Sequence, residues 1–129
     1  MRTQTYTIPL PYTRPPISAN SRYSHWSQRA KDVKNLRLTA CLLARHHKLP
    51  KDADHAVIAL YYTPRDKRRR DPSNMMPTQK ALIDGLVQDY KLLPDDCSEF
   101  VTERMPSLQP VDRSQRKSRL TLEIELEWR

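Results

Sequence analysis

Glycine occurs once in this 129-residue chain, phenylalanine once and cysteine twice. The two cysteines, Cys41 and Cys97, form no CxxC pair, which argues against a structural zinc site and leaves both as reduced thiols. His25, His46, His47 and His55 form no HxxxH arrangement, and adjacent side chains on a helix diverge by about 100°. Histidine ligation of a metal therefore has no spacing to support it. No stretch approaches the roughly 20 apolar residues of a membrane span. The first six residues lack the apolar core of a signal peptide, so a cytoplasm-like compartment is expected. Hydrophobic residues are only 37% of the chain. A chain of this size forms one domain and buries only about two-thirds of its unfolded surface, so a subunit interface would add burial. No internal repeat is visible.

Positive charge is what the chain has in excess. The net charge is +8 and the pI is near 9.8, which favours a polyanionic partner. Nucleic acid is the commonest such partner, and an anionic membrane surface is the rival. The cations concentrate in Arg65-Asp66-Lys67-Arg68-Arg69-Arg70, and carboxylates follow at Asp71, Asp84, Asp95 and Asp96. Cations hold a polyanion, and carboxylates hold a divalent metal. Magnesium is usually bound by one or two protein carboxylates plus water and phosphate oxygens. A site of that kind cuts phosphodiester bonds. The plain alternative is a solvated charged loop between a strand and a helix.

Periodicity predicts an α+β domain in the order β-α-β-α-β-β, with two helices packed on a small mixed sheet. Residues 3–8 alternate as a first strand. Pro9, Pro11, Pro15 and Pro16 then interrupt regular structure, and a polar loop runs to Trp26. A helix is expected over 27–47, with Val33, Leu36, Ala40, Leu43, Ala44 and His47 on one face and Pro50 just beyond its end. Residues 55–63 are apolar at both parities, which suits a central strand covered on both sides. A second helix runs from about 74 or 77 to 88, with Pro77 in its first turn and Lys80 and Asp84 sharing a face. Gly85, inside that helix, costs about 0.5–1 kcal/mol relative to alanine unless another backbone approaches closely. A third strand is expected over 97–105. The polar, basic stretch 107–118 reads as a loop, long enough to be mobile. In the last strand, 119–128, Leu120, Leu122, Ile124, Leu126 and Trp128 point one way, and Thr121, Glu123, Glu125 and Glu127 the other.

Asp71-Pro72-Ser73-Asn74, then Lys80 and Asp84, then Leu93-Pro94-Asp95-Asp96 resemble the RusA family of Holliday junction resolvases. Pro15-Pro16 and Asn20-Ser21-Arg22-Tyr23 look like that family's proline-rich loop and the motif after it. The likeness covers about residues 6–105. It implies a small dimeric endonuclease of bacteria and their phages that uses Mg2+, or Mn2+, to cut four-way DNA junctions in recombination and repair. Carried over residue by residue, Asp71, Lys80, Asp84 and Asp96 are the catalytic candidates. Asp71, Asp84, Asp95 and Asp96 are the metal-ligand candidates, Asp71 and Asp96 foremost. Arg22, Arg65, Lys67, Arg68, Arg69, Arg70, Asn74 and Lys80 are the DNA-binding candidates. Tyr23, Trp26 and Tyr90 are candidates for stacking on unpaired bases, with partial burial in the core as the alternative for each. The chain departs from the family at Ser73, which stands where a second aspartate is usual. Asp84 is the candidate replacement, and a noncatalytic nucleic-acid-binding protein with a degenerate metal site is the alternative.

Overall fold

In chain order the protein forms β1 (Arg2–Pro9), α1 (Trp26–His46), β2 (His55–Thr63), a 3-10 turn (Pro72–Met75), α2 (Met76–Asp84), a π-helical turn (Gly85–Asp89), β3 (Val101–Glu103), β4 (Ser107–Leu108) and β5 (Arg119–Trp128). The structure, a computed structural model, describes residues 1–19 and 26–129. Expectations for Arg22, Tyr23 and the motif around them lie outside the described residues. It is a single small α+β domain in which two helices accompany a mixed five-stranded sheet. Among the described residues, no helix is long and apolar enough to cross a membrane.

The alternation of β5 organises the sheet. β5 pairs antiparallel with β1 on one side and with β2 on the other. Its odd and even residues therefore face opposite ways together with their partners. Leu122 pairs with Ile8 and Leu60, and Ile124 with Tyr6 and Ile58, on the face that carries the core. Leu36, Ala40 and Ala44 of α1 and Leu82, Ile83 and Leu86 from the α2 region join the same cluster. The opposite face carries half-buried Glu123, Glu125 and Glu127 beside exposed Thr3, Thr5 and Thr7. There β2 departs from expectation. Among the described residues, the second cover of Val57, Ala59 and Tyr61 is the side chains of Arg104, Glu123 and Glu125, not another layer of elements.

α1 ends one residue before the expected limit, and His47 is exposed rather than on the core face. Lys48 takes a φ of 53°, and the Leu49 N–H donates back to the Ala44 carbonyl at 3.1 Å, turning the chain out of the helix. Pro77 sits at the start of α2, as the loss of its N–H requires. The helical pattern read through residue 88 continues beyond Asp84 as a π turn, which begins at Gly85.

Gly85 has a φ of −63°, so backbone freedom does not explain it. Space does. A Cβ there would press on the Arg37 carbonyl oxygen, 2.8 Å from Arg37 Cα and 3.0 Å from Ala40 Cβ. The close partner is α1 of the same chain, so this glycine offers no argument for a subunit interface.

The third strand is shorter than expected. Residues 97–100 form a turn in which the Cys97 carbonyl accepts from the Phe100 and Val101 N–H groups, and only Val101–Glu103 pair with β2. The segment expected to be loop contains β4, which pairs with Tyr61 and Tyr62 of β2. Between β3 and β4, the Leu60 N–H donates to Gln79 Oε1 at 2.8 Å, and Gln79 Nε2 donates to the Arg104 carbonyl at 2.6 Å. Gln79 is wholly buried and ties α2 to the sheet at the gap. Thr78, also wholly buried, donates its hydroxyl to the Ile17 carbonyl at 2.5 Å and accepts from the Ile17 N–H at 3.0 Å. Those bonds fix the turn of α2 that precedes Lys80.

Candidate metal centre and basic groove

Lys80 and Asp84 lie four apart on α2 and so share one face. The segment after the π turn brings Asp96 to the same place. Lys80 Nζ lies 3.2 Å from Asp84 Oδ1 and donates to Asp96 Oδ2 at 3.1 Å. The first contact is an ion pair without hydrogen-bond alignment, since Asp84 Oδ1 is buried and accepts no hydrogen bond. Burial pulls the Lys80 pKa down, but Asp96 and Asp84 outweigh it and hold the ammonium above its usual value. The same bond and charge lower the pKa of Asp96. Asp95 is exposed, and its Oδ1 accepts from the Asp96 N–H at 2.7 Å, which shapes the turn that presents Asp96.

Asp71 stands at the start of the 3-10 turn that leads into α2. Its Oδ1 accepts from the Ser73 N–H at 3.0 Å and from the Ser73 hydroxyl at 2.8 Å. These two bonds hold its pKa below the ordinary carboxylate value, with help from the nearby Arg69 charge. Ser73 therefore acts on Asp71: it uses one carboxylate oxygen as a cap and leaves Oδ2 to other partners.

Among the described residues, no group of three or more His, Cys, Asp or Glu side chains is arranged to hold a metal ion. Magnesium asks less of a protein, because water and phosphate oxygens complete its shell. Asp84 and Asp96 supply two carboxylates around one cation, here an ammonium, and Asp84 contributes a buried oxygen with no hydrogen bond. That donor set fits a divalent ion of the magnesium type. Asp71 and Asp95 stand outside this pair, Asp71 with the arginine loop and Asp95 beneath Asp96.

The arginine loop lines a groove of about 330 Å³ with Arg14, Arg68, Arg69, Arg70, Asp71 and Asn74 on its walls. Asp66 organises the loop. Its Oδ1 accepts from Arg70 Nη2 at 2.7 Å and from the Arg68 N–H at 3.1 Å. These bonds lower the Asp66 pKa. Arg70 also donates to the Asp66 and Arg68 carbonyls and lies 5.3 Å above the Tyr62 ring. It is largely occupied in shaping the loop, whereas Arg65, Lys67, Arg68 and Arg69 stay exposed. Asn74 is half-buried, and its carbonyl accepts from the Ala19 N–H at 3.0 Å.

Arg14, Gln79 and Thr78 are the residues of the site that sequence reasoning missed. Arg14 carried a signal, a cation beside Pro15-Pro16. The two buried polar residues carried none. Of the aromatic candidates, Trp26 is exposed, whereas Tyr90 is buried and donates to the Leu49 carbonyl at 2.6 Å. Set beside known proteins, the chain matches no protein-family model and no curated protein.

Proposed function

We propose that this protein is a magnesium-dependent, structure-selective DNA endonuclease. On this reading it resolves four-way junctions by paired phosphodiester incisions as a two-fold homodimer, as its resemblance to the RusA family implies. The observation that carries the reading is the Lys80 ammonium between Asp84 and Asp96, on a helix whose approach is capped by Asp71 in an arginine-lined groove. A divalent cation, with manganese able to replace magnesium, supplies acidification of a water and offsets charge on the phosphate. Asp84 and Asp96 are the residues to hold it, with Asp71 the further carboxylate at the groove wall. Lys80, kept protonated by its neighbours, is a point charge for a nonbridging phosphate oxygen. Arg65, Lys67, Arg68 and Arg69 bind the DNA backbone, because phosphate contacts dominate affinity. Two sites related by a two-fold axis suit two incisions across a junction.

A second reading, a noncatalytic nucleic-acid-binding protein, is favoured by the use of Asp71 Oδ1 as a cap for Ser73. Cleavage of a synthetic four-way junction, with magnesium or with chelator, separates the two. Incision only with magnesium supports the nuclease, and tight binding without incision supports the second reading.

A further inference from the structure

A second basic segment meets the arginine loop. The connection from β4 to β5 carries Arg113, Arg116, Lys117 and, at the start of the strand, Arg119. Asp112 folds this connection on itself. Its Oδ1 accepts from the Ser114 N–H at 2.9 Å and hydroxyl at 2.5 Å, and its Oδ2 accepts from Arg119 at 3.0 Å. Two bonds then tie it to the chain leaving β2. The Asp112 N–H donates to the Pro64 carbonyl at 3.0 Å, and the Arg65 N–H donates to Ser118 Oγ at 3.0 Å. A stretch that reads as free loop is thus fastened beside the arginine loop.

The result is a row of three adjoining hollows that share lining residues. Arg14, Tyr62, Arg68 and Arg70 line both the groove at Asp71 and the hollow beside it. Arg116, Lys117 and Thr13 line that hollow and the next one, which reaches Arg119. Arg14, Arg65, Arg116 and Lys117 are in salt-bridge contact with no described residue, so their charges are open to an outside partner, and exposed Arg69 lies near Asp71. Among the described residues, the aromatic rings lining these hollows are those of Tyr62 and half-buried Tyr12. Tyr62 is 5% exposed beneath Arg70, and Tyr12 donates its hydroxyl to Thr39. A surface lined by Arg14, Arg68, Arg69, Arg116 and Lys117 is suited to backbone phosphates, which position a duplex without reading its sequence.

We infer that the 112–119 connection is a second phosphate clamp. One arm of duplex DNA lies along the groove from Asp71 past Arg14 to Lys117, held by its backbone and independent of sequence. This inference rests on the nucleic-acid reading of the arginine loop and extends it to a segment the family resemblance does not reach.

The test is fluorescence anisotropy of a labelled linear duplex against Arg116→Gln/Lys117→Gln. Both residues are exposed, and a thermal melt checks the fold. Wild type, with about five neutralised phosphates, should show a slope of roughly −4 to −5 in log affinity against log salt. The double variant should be shallower by about 1.8, since each phosphate contributes about 0.9, and equally so on two unrelated sequences. Arg45→Ser/Lys48→Asn removes the same charge from residues outside the groove and should leave the slope unchanged. An unchanged slope in the loop variant, or an equal loss in the control, overturns the clamp while leaving the DNA reading intact. If wild type ignores linear duplex but binds a four-way junction, the clamp falls and the DNA reading stands; if it binds neither, or binds phosphatidylserine vesicles instead, both fall.

Discussion

Replacing Gly85 by alanine tests whether α1 and α2 are held at the separation that aims Asp84. On helix propensity alone the change should stabilise the protein by about 1 kcal/mol, because glycine is a poor helix former. The backbone would accept it, since φ is already −63°. Sterics oppose it. The new methyl would press on the Arg37 carbonyl oxygen and lie 2.8 Å from Arg37 Cα, and these are backbone atoms that cannot rotate away. The helices must separate by several tenths of an ångström or more. Arg37 is further fixed by Asp89, to which it donates at 2.8 and 2.9 Å. Overpacking of this kind costs about 1–3 kcal/mol. The clash against backbone places this site at the upper end, so a net loss of about 1–2 kcal/mol is expected. For a domain of this size each kcal/mol moves the Tm by about 4 °C. Circular dichroism should then show the Tm of Gly85→Ala lowered by about 4–8 °C. Because Asp84 precedes Gly85 directly, cleavage should also weaken at temperatures where the variant is folded. An unchanged or raised Tm would refute the reasoning, for it would mean that propensity outweighs the contact.

Other outcomes follow from the same contacts. Asp71→Asn should abolish cutting and leave junction binding intact or stronger, as it removes one negative charge beside DNA; gel-shift and cleavage assays check both arms. Ser73→Ala should cost less than about tenfold in cleavage, ~1 kcal/mol, since it removes one exposed hydroxyl bond to Asp71 and leaves the Ser73 N–H bond in place; a larger loss would show that the hydroxyl does more than cap Asp71. Lys80→Met leaves Asp84 and Asp96 without their shared cation. It should lower the metal-free Tm by a few degrees and tighten manganese binding by paramagnetic resonance, and unchanged manganese affinity would remove Lys80 from the site. Asp112 titrates at about 2 in the folded protein, held there by the Ser114 hydroxyl and N–H and then by Arg119. Its unfolded value is about 3.9. It therefore contributes stability in full above about pH 4, which is lost as pH falls toward 2. Asp112→Asn should lower the Tm at pH 7 and flatten its fall between pH 4 and 2, whereas equal losses at pH 7 and pH 2 would contradict the assignment.

The strands whose side chains carry the pattern were legible. β2 begins and ends where its apolar run does, and the inward row of β5 runs from Leu120 to Leu126 with Trp128 packed at its edge. β4 was not legible, because Ser107 and Leu108 become a strand through backbone pairing with Tyr61 and Tyr62, which leaves no trace in side-chain alternation. The π turn was hidden for a related reason. Leu86 and Val87 keep an apolar helical pattern whatever the local winding, and the widening depends on how α2 meets α1. Within the site, the spacing of Lys80 and Asp84 was readable as one helix face. The arrival of Asp96, sixteen residues beyond Lys80, depends on the chain reversal after the π turn and was legible only through the family resemblance. Thr78 and Gln79 carry buried bonds that sequence cannot reveal, because polar residues on a helix ordinarily face water.

The most direct test of the account is single-turnover cleavage of a four-way junction across magnesium concentrations by wild type, Asp84→Asn and Asp96→Asn. If the two carboxylates around Lys80 are the cutting site, wild type makes paired incisions that require magnesium. Each variant then loses cleavage by at least about a hundredfold, ~3 kcal/mol of transition-state stabilisation, while still binding the junction. Wild type inert at every magnesium concentration, or variants that cut as well as wild type, would contradict it.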